Sequence, residues 1–183
     1  MLTSVGVDPN DVNWIVGDYD ETIFLDGKTD AILLSTFSGP LLAQNPKNPG
    51  RKILDNSVDK PWSQYYCCML VANRDWAQRN PVATKRATRA LLRTTDMVSK
   101  DPAPAAQAAI DKKLVPARVT YDVLYGFMKS MPMNWRDYDP EDTLRYFALR
   151  LADGNLIKKT PDQMINDSTD FAYFKQLRKE LKA

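Results

Sequence analysis

Hydrophobic residues fall in two rhythms along this chain, and the change comes near Asn73. Before it, apolar residues gather in short β-branched or aromatic runs: Val12–Val16 (VNWIV), Ala31–Ser35 (AILLS), the pair Ile53 and Leu54, and QYYCCMLVA over 64–72. Runs of this length bounded by turn residues predict strands. Between the first two, YDETIFLDGK (19–28) sets Tyr19, Ile23 and Phe24 at helical spacing and stops at Gly27. Residues 12–35 therefore predict a strand–helix–strand unit, with the continuous run Ala31–Ser35 buried on both faces as in a parallel sheet. The proline- and glycine-rich stretch 36–52 predicts a loop, and 51–56 a short strand.

After Asn73 the spacing is helical to the end. Asn73 predicts an N-cap for a short helix holding Trp76, and Asn80-Pro81 starts a long one running to about Lys100. Its expected inner face holds Ala83, Ala87, Ala90, Leu91, Thr94, Met97 and Val98; its other face is basic. Asp101-Pro102 opens an alanine-rich helix to Ile110, and Tyr121–Met131 forms another. Asp139-Pro140-Glu141-Asp142 caps a helix through Leu151 that ends at Gly154, with acids in its first turn to suit the helix dipole. Thr160-Pro161 starts a short helix, and Phe171–Leu181 is the last.

Composition narrows what this pattern can mean. In 183 residues, 44% hydrophobic and 26% charged, there is room for one domain or two small lobes. The formal net charge of +2 creates no long-range field that argues for nucleic acid or an anionic membrane. No run reaches the roughly 20 apolar residues of a membrane span, and MLTSVGVDPND lacks the pattern of a secretory signal. Met1 and Leu2 open directly on what reads as the last turns of a helix, which predicts that something usually precedes them.

The chemistry is bounded by what is missing. The chain has no histidine and two cysteines, so histidine-dependent nucleophile systems and the common zinc sites are excluded. No glycine-rich phosphate loop occurs at the required spacing. Cys67-Cys68 permits two readings, a redox or soft-metal pair and a buried strand; the apolar neighbours favour the buried strand. Lys85, Arg86, Arg89 and Arg93 form the main charge cluster, read as a solvated helix face or as a patch for a partner or an anion. Trp62, Tyr65 and Tyr66, beside Ser63 and Gln64, sit where a loop enters an apolar run, a setting that suits a small ligand as well as core packing.

Longer stretches carry a resemblance. PWSQYYCCMLVANRDWAQRNPVATKRATRALLRTTDMVSKDP (61–102), DYDPEDTLRYFALRLADGNLIKKTPDQMI (137–165), TDFAYFKQLRKELKA (169–183) and GKTDAILLS (27–35), with its Gly-Lys-x-Asp-Ala turn, resemble the C-terminal half of nitrate/sulfonate/taurine-type ABC-transporter substrate-binding proteins. That superfamily also includes the thiamine-pyrimidine precursor synthases.

The resemblance implies an α/β fold of the type II periplasmic-binding-protein kind, truncated, with a largely helical C-terminal half. Residues 1–50 would be the remainder of a second lobe, 51–60 a crossover or hinge, and 61–183 the C-terminal part. It implies a periplasmic or cell-surface solute-binding component of an ABC importer, with a small anion, sulfonate-like or nitrogenous solute. Its partners would be a membrane permease and a first lobe carried elsewhere, with no nucleic acid. The expected solute contacts are Thr36 and Phe37 from one strand end, and Trp62, Ser63, Gln64 and Tyr65 from the other. No cofactor, metal or catalytic residue is expected. The alternatives are an enzyme of the pyrimidine-precursor type, disfavoured because WSQYY stands where those synthases carry a cysteine-rich loop, or a chain that acts only with a separately encoded lobe.

Overall fold

The structure is a computed structural model that describes residues 2–17, 21–34, 38–47, 50–66, 68–131 and 133–181. The described residues hold nine α-helices: α1 (Thr22–Leu25), α2 (Ser38–Gln44), α3 (Arg74–Arg79), α4 (Pro81–Lys100), α5 (Ala103–Asp111), α6 (Tyr121–Ser130), α7 (Pro140–Asp153), α8 (Pro161–Ser168) and α9 (Ala172–Glu180). Short 3-10 turns occupy Leu2–Val5, Pro9–Asp11 and Trp62–Gln64.

Helices α3, α7 and α8 start where their caps place them. Asn73 accepts from the Trp76 N–H at 2.9 Å, and Asp139 accepts from Glu141 and Asp142 at 2.8 and 3.2 Å ahead of Pro140. At α8 a reciprocal pair forms: Gln163 N–H donates to Thr160 Oγ1 at 3.2 Å, and Thr160 N–H to Gln163 Oε1 at 2.9 Å. Each such bond satisfies a first-turn donor that the helix cannot satisfy itself.

The α/β expectation fails. Among the described residues there is no strand, and the described parts of the runs predicted as strands pair with nothing. Each also leaves large apolar side chains exposed: Trp14 at 60%, Leu33 at 85%, Ile53 at 79% and Val71 at 87%. β-propensity measures how well a side chain packs against cross-strand neighbours, and no two of these runs supply such neighbours to each other. The strand–helix–strand unit and the parallel sheet of the type II periplasmic-binding fold are thus absent from the described structure, and the architecture is helical.

The chain divides into two compact units, Met1–Asn13 with Lys60–Thr94 and Asn134–Ala183, and Trp14–Asp59 with Thr95–Met133. In the second, α5 and α6 enclose a core of Ala106, Val119, Val123 and Leu124, over which Leu41, Ile110 and Met128 pack. Ala106 is fully buried, and a side chain that small lets the two helices approach closely. Arg118 donates to Glu21 at 2.7 Å in the same unit.

In the first unit α7 packs on α8 and on the turn Leu2–Val5, burying Thr143, Ala148 and Ile165, while α9 buries Leu177. Gly154 follows α7 because a Cβ there would lie 3.2 Å from Thr3 Cγ2. The left-handed residue expected at such a helix end falls one position later, at Asn155 with φ 54°.

α4 inverts the expected orientation. Thr84, Lys85, Thr88, Arg89 and Leu92 are half-buried, whereas Ala83, Ala87, Ala90 and Met97 of the alanine face are exposed. Alanine buries little apolar area, so the long stems of Lys85 and Arg89 cover the helix better. Their charged heads both meet Glu180 of α9, with Lys85 Nζ at 2.5 Å.

Candidate functional site

Trp62–Gln64 turn once as a 3-10 helix, and the Tyr65 N–H closes it by donating to Trp62 O at 3.0 Å. Tyr65 then extends, with φ −124° and ψ 141°. Its ring stacks on Tyr146 of α7 with centroids 4.1 Å apart and meets Phe147 edge-on at 6.2 Å. Tyr66 meets Tyr138 edge-on at 5.8 Å, and Tyr138 Oη donates to Ser63 O at 3.4 Å. Burial, aided by the carboxylate of Asp139, pushes the Tyr66 phenol up to about 12. Burial also raises Tyr65, with Asp142 and Tyr146 adding to it. Both phenols therefore stay neutral and able to donate across the biological pH range.

Of the sequence-predicted contacts, Trp62, Ser63 and Tyr65 are half-buried and Gln64 is exposed. They form a turn laid against Tyr138 and the middle of α7 and not the end of a strand. Thr36 and Phe37 lie outside the described residues. So does Cys67, but Cys68 is exposed, as are Met69, Leu70 and Val71, and the buried-strand reading of this run is overturned.

A concavity that sequence reasoning missed opens at the start of α4. It measures about 550 Å³ and is lined by Arg79, Asn80, Pro81, Val82, Ala83 and Arg86. Asn80 does not cap α4 as its position predicts: its amide nitrogen and its main-chain N–H each donate to Trp76 O at 2.9 Å, closing α3 instead. Among the described residues, the first-turn N–H groups of Val82 and Ala83 have no acceptor. Arg79 gives its Nε to Asp75 O at 3.2 Å, and among the described residues Arg86 forms no ion pair. Two guanidiniums beside the positive end of a 20-residue helix, over apolar Pro81 and Val82, make a local environment that attracts a small anion. The available signal was the pair Arg79 and Arg86 on either side of Asn80-Pro81, obscured because Arg86 reads more naturally with Lys85 and Arg89.

A second, smaller concavity of about 240 Å³ lies beyond the C-terminal end of α7, bounded by Thr3, Asp8, Asp153 and Asn155. Its carboxylates are committed, Asp153 to Arg150 at 3.1 Å and Asp8 to the Asn10 N–H at 2.9 Å. Among the described residues no three His, Cys, Asp or Glu side chains gather where they could hold a metal ion, and no helix is long and apolar enough to cross a membrane.

No curated protein and no solved structure matches the chain. The family model described as NMT1/THI5 like matches residues 1–105, more than half of the 183. That stretch contains Trp62–Tyr66 and the whole concavity at the start of α4, and it bears out the superfamily resemblance seen in the sequence. The chain belongs to the NMT1/THI5-like family and carries a binding-protein or THI5-like scaffold.

Proposed function

We propose that this chain binds a small anionic solute non-covalently, as a component of an ABC importer acting outside the cytoplasmic membrane with a permease. The observation that carries the reading is the concavity of about 550 Å³ flanked by Arg79 and Arg86. A sulfonate or nitrate placed there would face guanidinium donors on its charged end and the side chains of Pro81, Val82 and Ala83 on its apolar end. The family match over residues 1–105, a stretch that contains the concavity, supports the reading. Trp62, Ser63, Gln64 and Tyr65 remain proposed as secondary contacts, with the Gln64 amide the most accessible of them.

The test is a thermal unfolding scan with nitrate, sulfonates, taurine and pyrimidines. A solute at about a hundred times its dissociation constant stabilises a competent site by about 2.7 kcal/mol, a shift readily seen in the midpoint. The expected result is a shift by an oxyanion or sulfonate that Arg79→Ala removes. A shift by a pyrimidine alone, or one that survives Arg79→Ala and is lost in Gln64→Ala, would move the site to the Trp62–Tyr66 turn.

A further inference from the structure

Asn80 stands between two helices, and its side chain serves only the first. Its carbonyl accepts the opening main-chain bond of α4, from the Thr84 N–H at 2.9 Å, which is what an N-cap residue does. Its amide nitrogen instead donates to Trp76 O at 2.9 Å, beside the main-chain N–H bond to the same oxygen, and so closes α3. The backbone follows the side chain. Asn73, Thr120, Asp139 and Thr160, which cap α3, α6, α7 and α8, have ψ from 115° to 164°, whereas Asn80 has ψ 56°. Each of those four accepts a first-turn N–H through its side-chain oxygen. Among the described residues Asn80 Oδ1 accepts nothing, and the N–H groups of Val82 and Ala83, both exposed residues, donate to nothing.

We propose that Asn80 is the positioning residue that keeps the solute concavity open. By closing α3 it withholds its own oxygen from α4, and an oxyanion takes the vacant place and caps α4 from outside. The inference rests on the solute reading and adds to it a residue that acts by staying away from the solute. Asparagine suits the task among the residues that cap helices well. Aspartate has an accepting oxygen but no donor for Trp76 O, and the serine and threonine hydroxyls sit one bond closer to the backbone. An oxygen of a sulfonate or nitrate is an acceptor of the kind a cap supplies. The positive end of α4 and the guanidiniums of Arg79 and Arg86 at the same concavity favour a charged acceptor there over a neutral amide oxygen.

The experiment compares the wild-type chain with Asn80→Ala, Asn80→Ser and Asn80→Asp, by calorimetric titration with methanesulfonate and by NMR hydrogen exchange of the Val82 and Ala83 amides. Without solute, both amides are expected to exchange fast in the wild type and in Asn80→Ala, and more slowly in Asn80→Ser and Asn80→Asp, whose side chains turn to α4. Methanesulfonate is expected to bind Asn80→Ser about fivefold more weakly than Asn80→Ala, because it must displace a cap, and Asn80→Asp most weakly of all. The serine comparison takes charge out of the argument: repulsion alone would weaken Asn80→Asp and leave the serine and alanine variants equal. Should Asn80→Ala not fold, Asn80→Gln, which keeps an N–H donor and is not a preferred cap, takes its place. Equal affinities of the serine and alanine variants, with the wild type binding, would overturn the role of Asn80 and leave the solute reading standing. Slow exchange of Val82 and Ala83 in the wild type without solute would show a cap already in place and overturn it too. No response to methanesulfonate in either the wild type or Asn80→Ala would overturn the solute reading and this inference with it.

Discussion

The ring of Tyr65 lies nearly parallel to that of Tyr146, 13° between planes and 4.1 Å between centroids, and fixes the Trp62–Tyr66 turn to α7. The Tyr146 hydroxyl is buried and has no hydrogen-bond partner among the described residues. Tyr146→Phe should therefore leave stability unchanged or raise it by up to about 1 kcal/mol, since it removes an unpaired polar atom and keeps the stack. Tyr146→Ala should cost about 3 kcal/mol. Urea unfolding of the two variants measures both; a large loss in Tyr146→Phe would mean that the hydroxyl is bonded after all.

Asp55 is held at about 2, first by the hydrogen bond from Lys52 and then by those from the Ser57 hydroxyl and N–H. The distances are 2.7 Å from Lys52 Nζ, 2.6 Å from Ser57 Oγ and 3.0 Å from Ser57 N. Because folding lowers this carboxyl, its contribution is fully present above about pH 4 and is lost as the pH falls from about 4 to 2. Carboxyl NMR should find its midpoint near 2, and Lys52→Ala should raise it. A midpoint at the ordinary carboxylate value would show that the turn does not persist in solution.

The capping box of α8 predicts a specific ranking. Thr160→Ala should cost about 1 kcal/mol, and Thr160→Ser should restore most of it, because serine keeps the oxygen that accepts from Gln163. Equal denaturation midpoints for the alanine and serine variants would remove the cap from the account.

Exposure of Cys68 makes it available to a thiol reagent in the folded protein. Maleimide labelling mapped by mass spectrometry should find Cys68 modified at native conditions without loss of the unfolding transition, and Cys68→Ser should change stability by less than about 0.5 kcal/mol. Protection of Cys68 until the chain unfolds would return the run to the interior.

The helical half was legible in the sequence because its signals are local. Asn73, Asp139-Pro140 and Thr160-Pro161 each act on donors within three residues, so a cap can be read without knowing what the helix packs against. The strand expectations at Val12–Val16, Ala31–Ser35 and 64–72 were of another kind. A short apolar run states that burial would be favourable, but whether a neighbouring strand arrives to pair with it is a property of the whole chain. The α4 face failed for a related reason. Periodicity showed two faces, and only Glu180, 95 positions beyond Lys85, decided which was covered. The concavity at Arg79 and Arg86 escaped because Asn80 caps the preceding helix, a choice that its place before Pro81 does not reveal.

The exposed stretch Met69–Val71 has a consequence for the chain's life at high concentration. From Tyr66 to Ala72 run seven residues without a charge or a proline, and Asn73, Arg74 and Asp75 follow at once. Such a window is a template for intermolecular β-stacking, and the polar residues that close it act as gatekeepers at one end alone. Colloidal stability of the isolated chain should thus depend on Arg74 and Asp75.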